Sequence, residues 1–307
     1  MVATTIFEAT YDAHHEITRT FDMVWALDVG LWNLRESAKE YFANNPTANN
    51  SEAKDSLVKG LEVHGLNLKK ISSELSWEYE EQYLAELLLI NAIAIFDTWV
   101  NLFVDSVFLS RGESWKDNLC AEIKKGNFQF LKRKLSNETK SSLAGCFCYS
   151  RKKQDRYINN LNKIYKYFKS CRNCCAHGNR KFTSIAERNY NAVKTLKKED
   201  CGIREFPEIA VTVQGDPIKL HLRGVVGFYD VLLRIIYHYD ICAADKVAVE
   251  SELLKRCRDI GNIKFSKNIK KRNSSVCQYM KSINMCPPHS SRTDDIYNFL
   301  SSNGIIH

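Results

Sequence analysis

Turn-forming residues are scarce. The 307 residues include 13 Gly and 5 Pro, about half of average usage for this length. Such a shortage argues against a sandwich or barrel of many short strands and favours long helices. Uncharged apolar runs of membrane-spanning length are also missing. The most apolar tract, residues 84–109, is interrupted by Glu86, Asn91, Asp97, Asn101 and Asp105, short of the ~18 residues that a span requires, and it reads as a buried central helix. The opening MVATTIFEAT lacks the basic start and apolar core of a secretory signal. The 11 cysteines, an odd number, are therefore expected to be reduced thiols in a cytoplasmic protein. No glycine-rich phosphate loop, G-x-S-x-G elbow or H-E-x-x-H pair occurs, so the motifs of the P-loop, α/β-hydrolase and zincin classes are missing.

With 44% hydrophobic and 26% charged residues, the composition is that of a folded chain with a sizeable core. Charge is divided unevenly along it. Residues 1–110 hold 7 Lys and Arg against 17 Asp and Glu, a net of −10, whereas residues 111–250 reach +12 and residues 251–307 add +6. Within the middle segment, residues 151–200 alone carry 14 basic and 4 acidic residues. Such a concentration suits a polyanion such as RNA, whose counterions are released when phosphates are neutralised. A solvated basic helix face explains the same count.

Periodicity and breakers give an outline of the elements. A first helix is expected over residues 5–43, stopped at Asn44-Asn45-Pro46. After a TANNS linker, Ser51 opens a second block that leads into a long helix over about 68–110, ended by Arg111-Gly112. One or two short helices should fill 113–135, and 136–150 should be irregular. From Lys153 onward, Tyr157, Leu161, Ile164, Tyr165 and Phe168 recur at helical spacing, with Gly178-Asn179 as the stop. A further helix is expected at 184–197. Residues 209–213 and 218–222 alternate about Gln214-Gly215-Asp216-Pro217, the pattern of a β-hairpin. Helices should follow at 224–242, 248–258 and 293–301. No internal repeat is visible. The expected architecture is all-α, divided into a helical domain over 1–245 and a small basic C-terminal extension over 246–307.

One run carries chemistry. Steps of three and four from Leu161 through Tyr165 and Phe168 arrive at Arg172, so a guanidinium continues an apolar stripe and needs a partner. His177 follows five residues later in Arg172-Asn173-Cys174-Cys175-Ala176-His177. This run resembles the R-N-x-x-x-H signature of the HEPN superfamily, as do the amphipathic helix before it and the long upstream helix bearing Asp97. The resemblance covers residues 5–242. It implies a HEPN-like helical bundle, here with a small hairpin insertion, that pairs as a homodimer and cleaves RNA without metal or other cofactor. Under it, Arg172 stabilises the scissile phosphate, His177 transfers protons and Asn173 orients one of them. Guanidinium and imidazole suit a reaction that develops negative charge and moves protons near neutral pH. Many such proteins are toxins or antiviral effectors. Toxins paired with a nucleotidyltransferase antitoxin place a Tyr two positions after the His, where this chain has Asn179.

Asp97 shares a helical face with Ile90, Ala94 and Asn101, where it either pairs with Arg172 or is satisfied locally. Lys166, Lys169, Arg180 and Lys181 flank the motif as expected RNA-backbone contacts. Two non-catalytic readings remain open beside the nuclease: a HEPN-like module that binds RNA or a protein, and a purely structural Arg–His pair. Cys171 with Cys174 and Cys146 with Cys148 lack the spacing of a zinc ribbon or knuckle, so no metal is expected. His14, His15, His64, His221 and His238 fit no ligand or triad pattern.

Overall fold

The computed structural model describes residues 5–60, 63–147, 152–177, 179–260, 265–266 and 268–306. Among them the chain is helical and forms no strand. The elements are α1 (Glu8–Asn44), α2 (Asn50–Leu57), α3 (Trp77–Val107), α4 (Glu113–Lys124), α5 (Phe128–Ser136), α6 (Ile158–His177), α7 (Ser184–Val193), α8 (Lys198–Cys201), α9 (Leu222–Ala243), α10 (Ala248–Ile260), α11 (Ile269–Ser282) and α12 (Thr293–Ser302).

At the centre lies α3, which packs against α1, α4, α6, α9 and α10. It is apolar and long enough to cross a membrane. Three of its aromatic side chains, Phe96, Trp99 and Phe103, are fully buried, whereas Tyr83, Leu87, Ile90 and Leu102 stay exposed. Trp99 stacks on Phe103 with centroids 4.9 Å apart, and Phe96 meets Tyr165 of α6 at 4.8 Å. Burying four aromatics of this size stabilises the core by roughly 2 kcal/mol each.

The long helix expected from residue 68 is broken. Residues 70–74 form one π-helical turn, Leu75 is extended, and Ser76 caps α3 by accepting from the Tyr79 amide. Arg35 of α1 supplies a cause. Arg35 is 6% exposed, and its guanidinium bonds the carbonyls of Ile71 and Leu75 and pairs with Glu80 at 2.8 Å. Carbonyls committed to a side chain are unavailable to a continuing helix.

The proposed hairpin also differs. A turn does form, with the Asp216 amide donating to Val213. Its far arm pairs elsewhere: Phe182 donates to Asp216, Gly215 to Phe182 and Ile218 to Arg180. Residues 180–182 are therefore the partner that 209–213 were expected to be. The helix expected over 184–197 ends at Val193 as α7, with the short α8 following at Lys198–Cys201, and α11 is unexpected, because only Val276, Tyr279 and Met280 are buried along its 14 residues.

One apolar core runs through α1, α3, α6, α9, α10, α11 and α12, across the boundary drawn at residue 245. Polar ties reinforce that continuity. Phe7, before the first turn of α1, has no side-chain oxygen to cap it. Asp240 of α9 does so instead, accepting from the Ile6 and Phe7 amides at 2.8 and 3.0 Å. Glu252 of α10 accepts from the Glu8 amide at 2.7 Å, and the Cys286 amide donates to Thr5. Capping from a distant helix satisfies orphan amides that the local sequence cannot.

Replacing Asp240 by Ala strands both amides in a buried setting and is expected to cost about 2–3 kcal/mol by urea unfolding. Asp240→Asn, whose amide oxygen still accepts, should cost less. An Ala variant as stable as the parent would contradict this role.

Candidate functional site

The apolar stripe of α6 determines where its polar residues face. Leu161, Ile164, Tyr165 and Phe168 are buried, and Phe168 stacks on Phe228 of α9 with centroids 4.5 Å apart. One turn further, the stripe delivers Arg172 to α3, where its Nη2 lies 3.8 Å from Oδ2 of Asp97. Lys169 reaches Oδ1 of the same carboxylate at 3.8 Å and donates to the Tyr165 hydroxyl at 3.2 Å. Burial lowers the Lys169 pKa, with Asp97 acting in opposition. Nearby, Lys124 donates to Asn101 at 2.7 Å. One carboxylate thus serves two cations, leaving a surplus of positive charge.

The Arg172 contact is a charge pair rather than a hydrogen bond, since 3.8 Å exceeds donor–acceptor reach. Arg172 makes no hydrogen bond among the described residues. A half-buried guanidinium is therefore held in place electrostatically with its planar fork of donors unspent.

His177 is the last residue of α6 and is exposed. Asn173, four residues earlier, shares its face and is exposed too, as is Lys166 a further two turns back. Arg172 and His177, five residues apart, point about 140° from one another around the axis. A single chain consequently presents them on different faces.

Gly178 falls outside the described residues. Beyond it, Asn179 and Arg180 take the left-handed conformation with φ of 50° and 60°, and the Arg180 amide closes the helix end on the Cys174 carbonyl. Asn tolerates this region; Arg does so at a cost of about 1 kcal/mol. Two interactions hold it. Its carbonyl accepts from Ile218, and its guanidinium binds both oxygens of buried Glu86 at 2.6 and 2.5 Å. That bond raises the Arg180 pKa. Arg180 is thus committed to Glu86 and leaves the set of free cations expected along an RNA backbone. Lys181 stays exposed with no acidic partner among the described residues. Glu86 escaped the sequence reading. The one available signal was a carboxylate in an apolar run, which demands a cation without saying which.

The thiols near the motif face inward. Cys171 and Cys174 belong to the core, and burial pushes the Cys171 thiol well up and that of Cys175 up to about 12. Cys146 lies 3.8 Å from both Asp295 and Arg292, and Cys148 is outside the described residues. A different trio, Asp155, His238 and Cys242, brings metal-ligating atoms within 4.8 Å. Hydrogen bonding argues against coordination there. The Gln154 amide donates to His238 Nδ1 at 3.0 Å, so the neutral ring carries its proton on Nε2, which faces Asp155 and Cys242 at 3.8 and 3.7 Å. Both ring nitrogens are then occupied and neither offers a lone pair.

No family model matches this sequence, and no curated protein or solved structure matches it either.

Burial holds the His238 pKa down at about 4 against an ordinary 6.5. The fold therefore excludes a proton that the unfolded chain takes up in that window, and this contribution, full above pH 6.5, is lost as pH falls towards 4. Asp240, pushed up to about 6 by burial, has the opposite slope, so the informative quantity is a difference. The stability advantage of the parent over His238→Gln should shrink with falling pH between 6.5 and 4; a constant difference would contradict the assignment. Separately, Arg180→Ala strands the Glu86 charge and should cost roughly 2 kcal/mol, below the range for fully buried pairs because the guanidinium is partly exposed. Adding Glu86→Gln should recover part of that loss.

Proposed function

We propose that this chain is a HEPN-type RNA endonuclease that acts as a homodimer, without metal, and leaves a cyclic phosphate. The observation that carries the reading is Arg172: a guanidinium fixed beside Asp97 with its donors unspent, on the same helix end as an exposed imidazole. Six other arginines, at 35, 111, 180, 234, 256 and 272, spend donors on carboxylates or carbonyls.

In the proposed reaction the RNA 2′-oxygen bonds to the adjacent phosphorus as the bond to the 5′-oxygen breaks. The hydroxyl proton passes to a base, and the departing 5′-oxygen takes a proton from an acid. Arg172 meets the charge that builds on the non-bridging oxygens. His177 is suited to one of the two proton transfers, and a second copy supplies the other. Asn173, on the His177 face, orients the imidazole or the phosphate. Lys166, Lys169 and Lys181 supply sequence-tolerant backbone attraction. A role as a toxin or antiviral effector follows from the HEPN resemblance.

Two-fold pairing also answers the 140° separation, since Arg172 of one copy can then serve the substrate held by His177 of the other. Exposed Ile90, on the Asp97 side of α3, gives such a contact apolar area.

Purified protein incubated with mixed RNA in EDTA should cleave it, because guanidinium and imidazole need no metal. His177→Ala should retain RNA binding while the single-turnover rate falls ~10²-fold or more. Binding without cleavage by the parent, unaffected by His177→Ala, would instead identify a non-catalytic RNA-binding module. Sedimentation should show a dimer, and Ile90→Asp should yield a folded monomer that no longer cleaves. A strict monomer with full activity would remove the composite site.

A further inference from the structure

α1 is two helices in one. Its first turns pack on the main core, and its last turns, through Ala38, close a small separate core with Ala53 and Leu68. The stretch between them, Met23–Trp32, reads MVWALDVGLW and contains one charge. A helix apolar around its whole circumference belongs inside a protein. Here only Val24 is buried, while Met23, Leu27 and Val29 are 53%, 47% and 55% exposed.

The exposure continues onto α3. Three cavities of about 220, 470 and 340 Å³ follow one another along the α1–α3 seam, the first two sharing Glu16 and the last two sharing Leu84 and Leu87. Together they form a trough that runs from Ala9 to Leu31 on one wall and from Leu102 to Leu75 on the other. Twenty-two helical steps of 1.5 Å make it ~33 Å long. On α3, Leu84, Asn91 and Leu102 lie about 120–140° from Asp97, so these anchors are separate from the proposed nuclease site, although the lining residues Tyr79, Tyr83 and Ala94 lie nearer the Asp97 side.

Charge selects the occupant. α1 and α3 together hold 13 Asp and Glu against 3 Lys and Arg, and α3 contains no Lys or Arg at all. One of the three cations, Arg35, is buried against Glu80, and another, Arg19, already lies beside Glu16. Asp12 and Glu16 border the trough. A second copy docked through this face would set acid against acid, and the same field disfavours an anionic membrane. We propose that the trough is a docking groove for a basic amphipathic helix of about 20 residues from a partner protein, its apolar stripe against Leu27, Leu84 and Leu102 and its Lys or Arg residues against Asp12 and Glu16. This helix-in-groove mode uses anchors at three- and four-residue spacing, which is the spacing of the trough walls.

The full chain can be tested with two labelled 20-residue helical peptides. Both place Leu at three- and four-residue spacing; one fills the remaining positions with Lys, the other with Glu. The Lys peptide should bind, and more weakly as salt rises. Leu27→Gln, at a position 47% exposed, should weaken it about tenfold. Glu16→Lys should weaken the Lys peptide and improve the Glu peptide. Several results would overturn the proposal: equal binding of both peptides, no binding of the Lys peptide, binding of phosphatidylcholine vesicles in its place, or a homodimer that Leu27→Gln dissociates. None of these readouts involves RNA cleavage, so failure here and failure of the nuclease reading are distinguishable.

Discussion

The central helix has no cations of its own. α3 carries six acidic residues and no Lys or Arg over 31 positions, yet it lies in the middle of the molecule. Its carboxylates must be neutralised by whatever packs against them. Four are, each from a different part of the chain: Glu80 by Arg35 of α1, Glu86 by Arg180 beyond α6, Asp97 by Arg172 and Lys169 of α6, and Asp105 by Lys116 of α4. Aromatic packing makes the bundle cohere, and these pairs fix which residue meets which. Three of these four carboxylates draw their cations from residues 111–250, net +12, to a first segment of net −10.

The four pairs differ in how fully they consume their cations. Arg35 and Arg180 bond directly to carboxylates and are structural, one breaking the start of α3 and the other holding a left-handed backbone. Arg172 is held at 3.8 Å with its donors free. The same helix thus locks two arginines and presents a third, and the difference lies in a distance that no motif encodes.

Local patterns were readable and distant partners were not. The stripe from Leu161 to Phe168 and the stop after His177 depend on neighbours within four residues, so α6 and the placement of Arg172 followed from spacing. The Glu86–Arg180 pair joins residues 94 apart, and the Arg35 bonds that break the long helix cross about 40 residues. Neither leaves a local trace. The tract 209–222 showed its turn but not its partner, because alternation reports a face and not the segment that will cover a backbone edge. α11 was missed for want of apolar residues.

The proposed cleavage depends most on Asp97 holding Arg172 ready for a phosphate. Asp97→Asn keeps the shape and removes the charge. Measured on the purified variant under single-turnover conditions, RNA cleavage should fall roughly tenfold or more, with urea stability changed by about 1 kcal/mol or less because the pair is partly exposed. Cleavage at the parental rate by a stable Asp97→Asn protein would show that Arg172 needs no such anchor and would contradict the account.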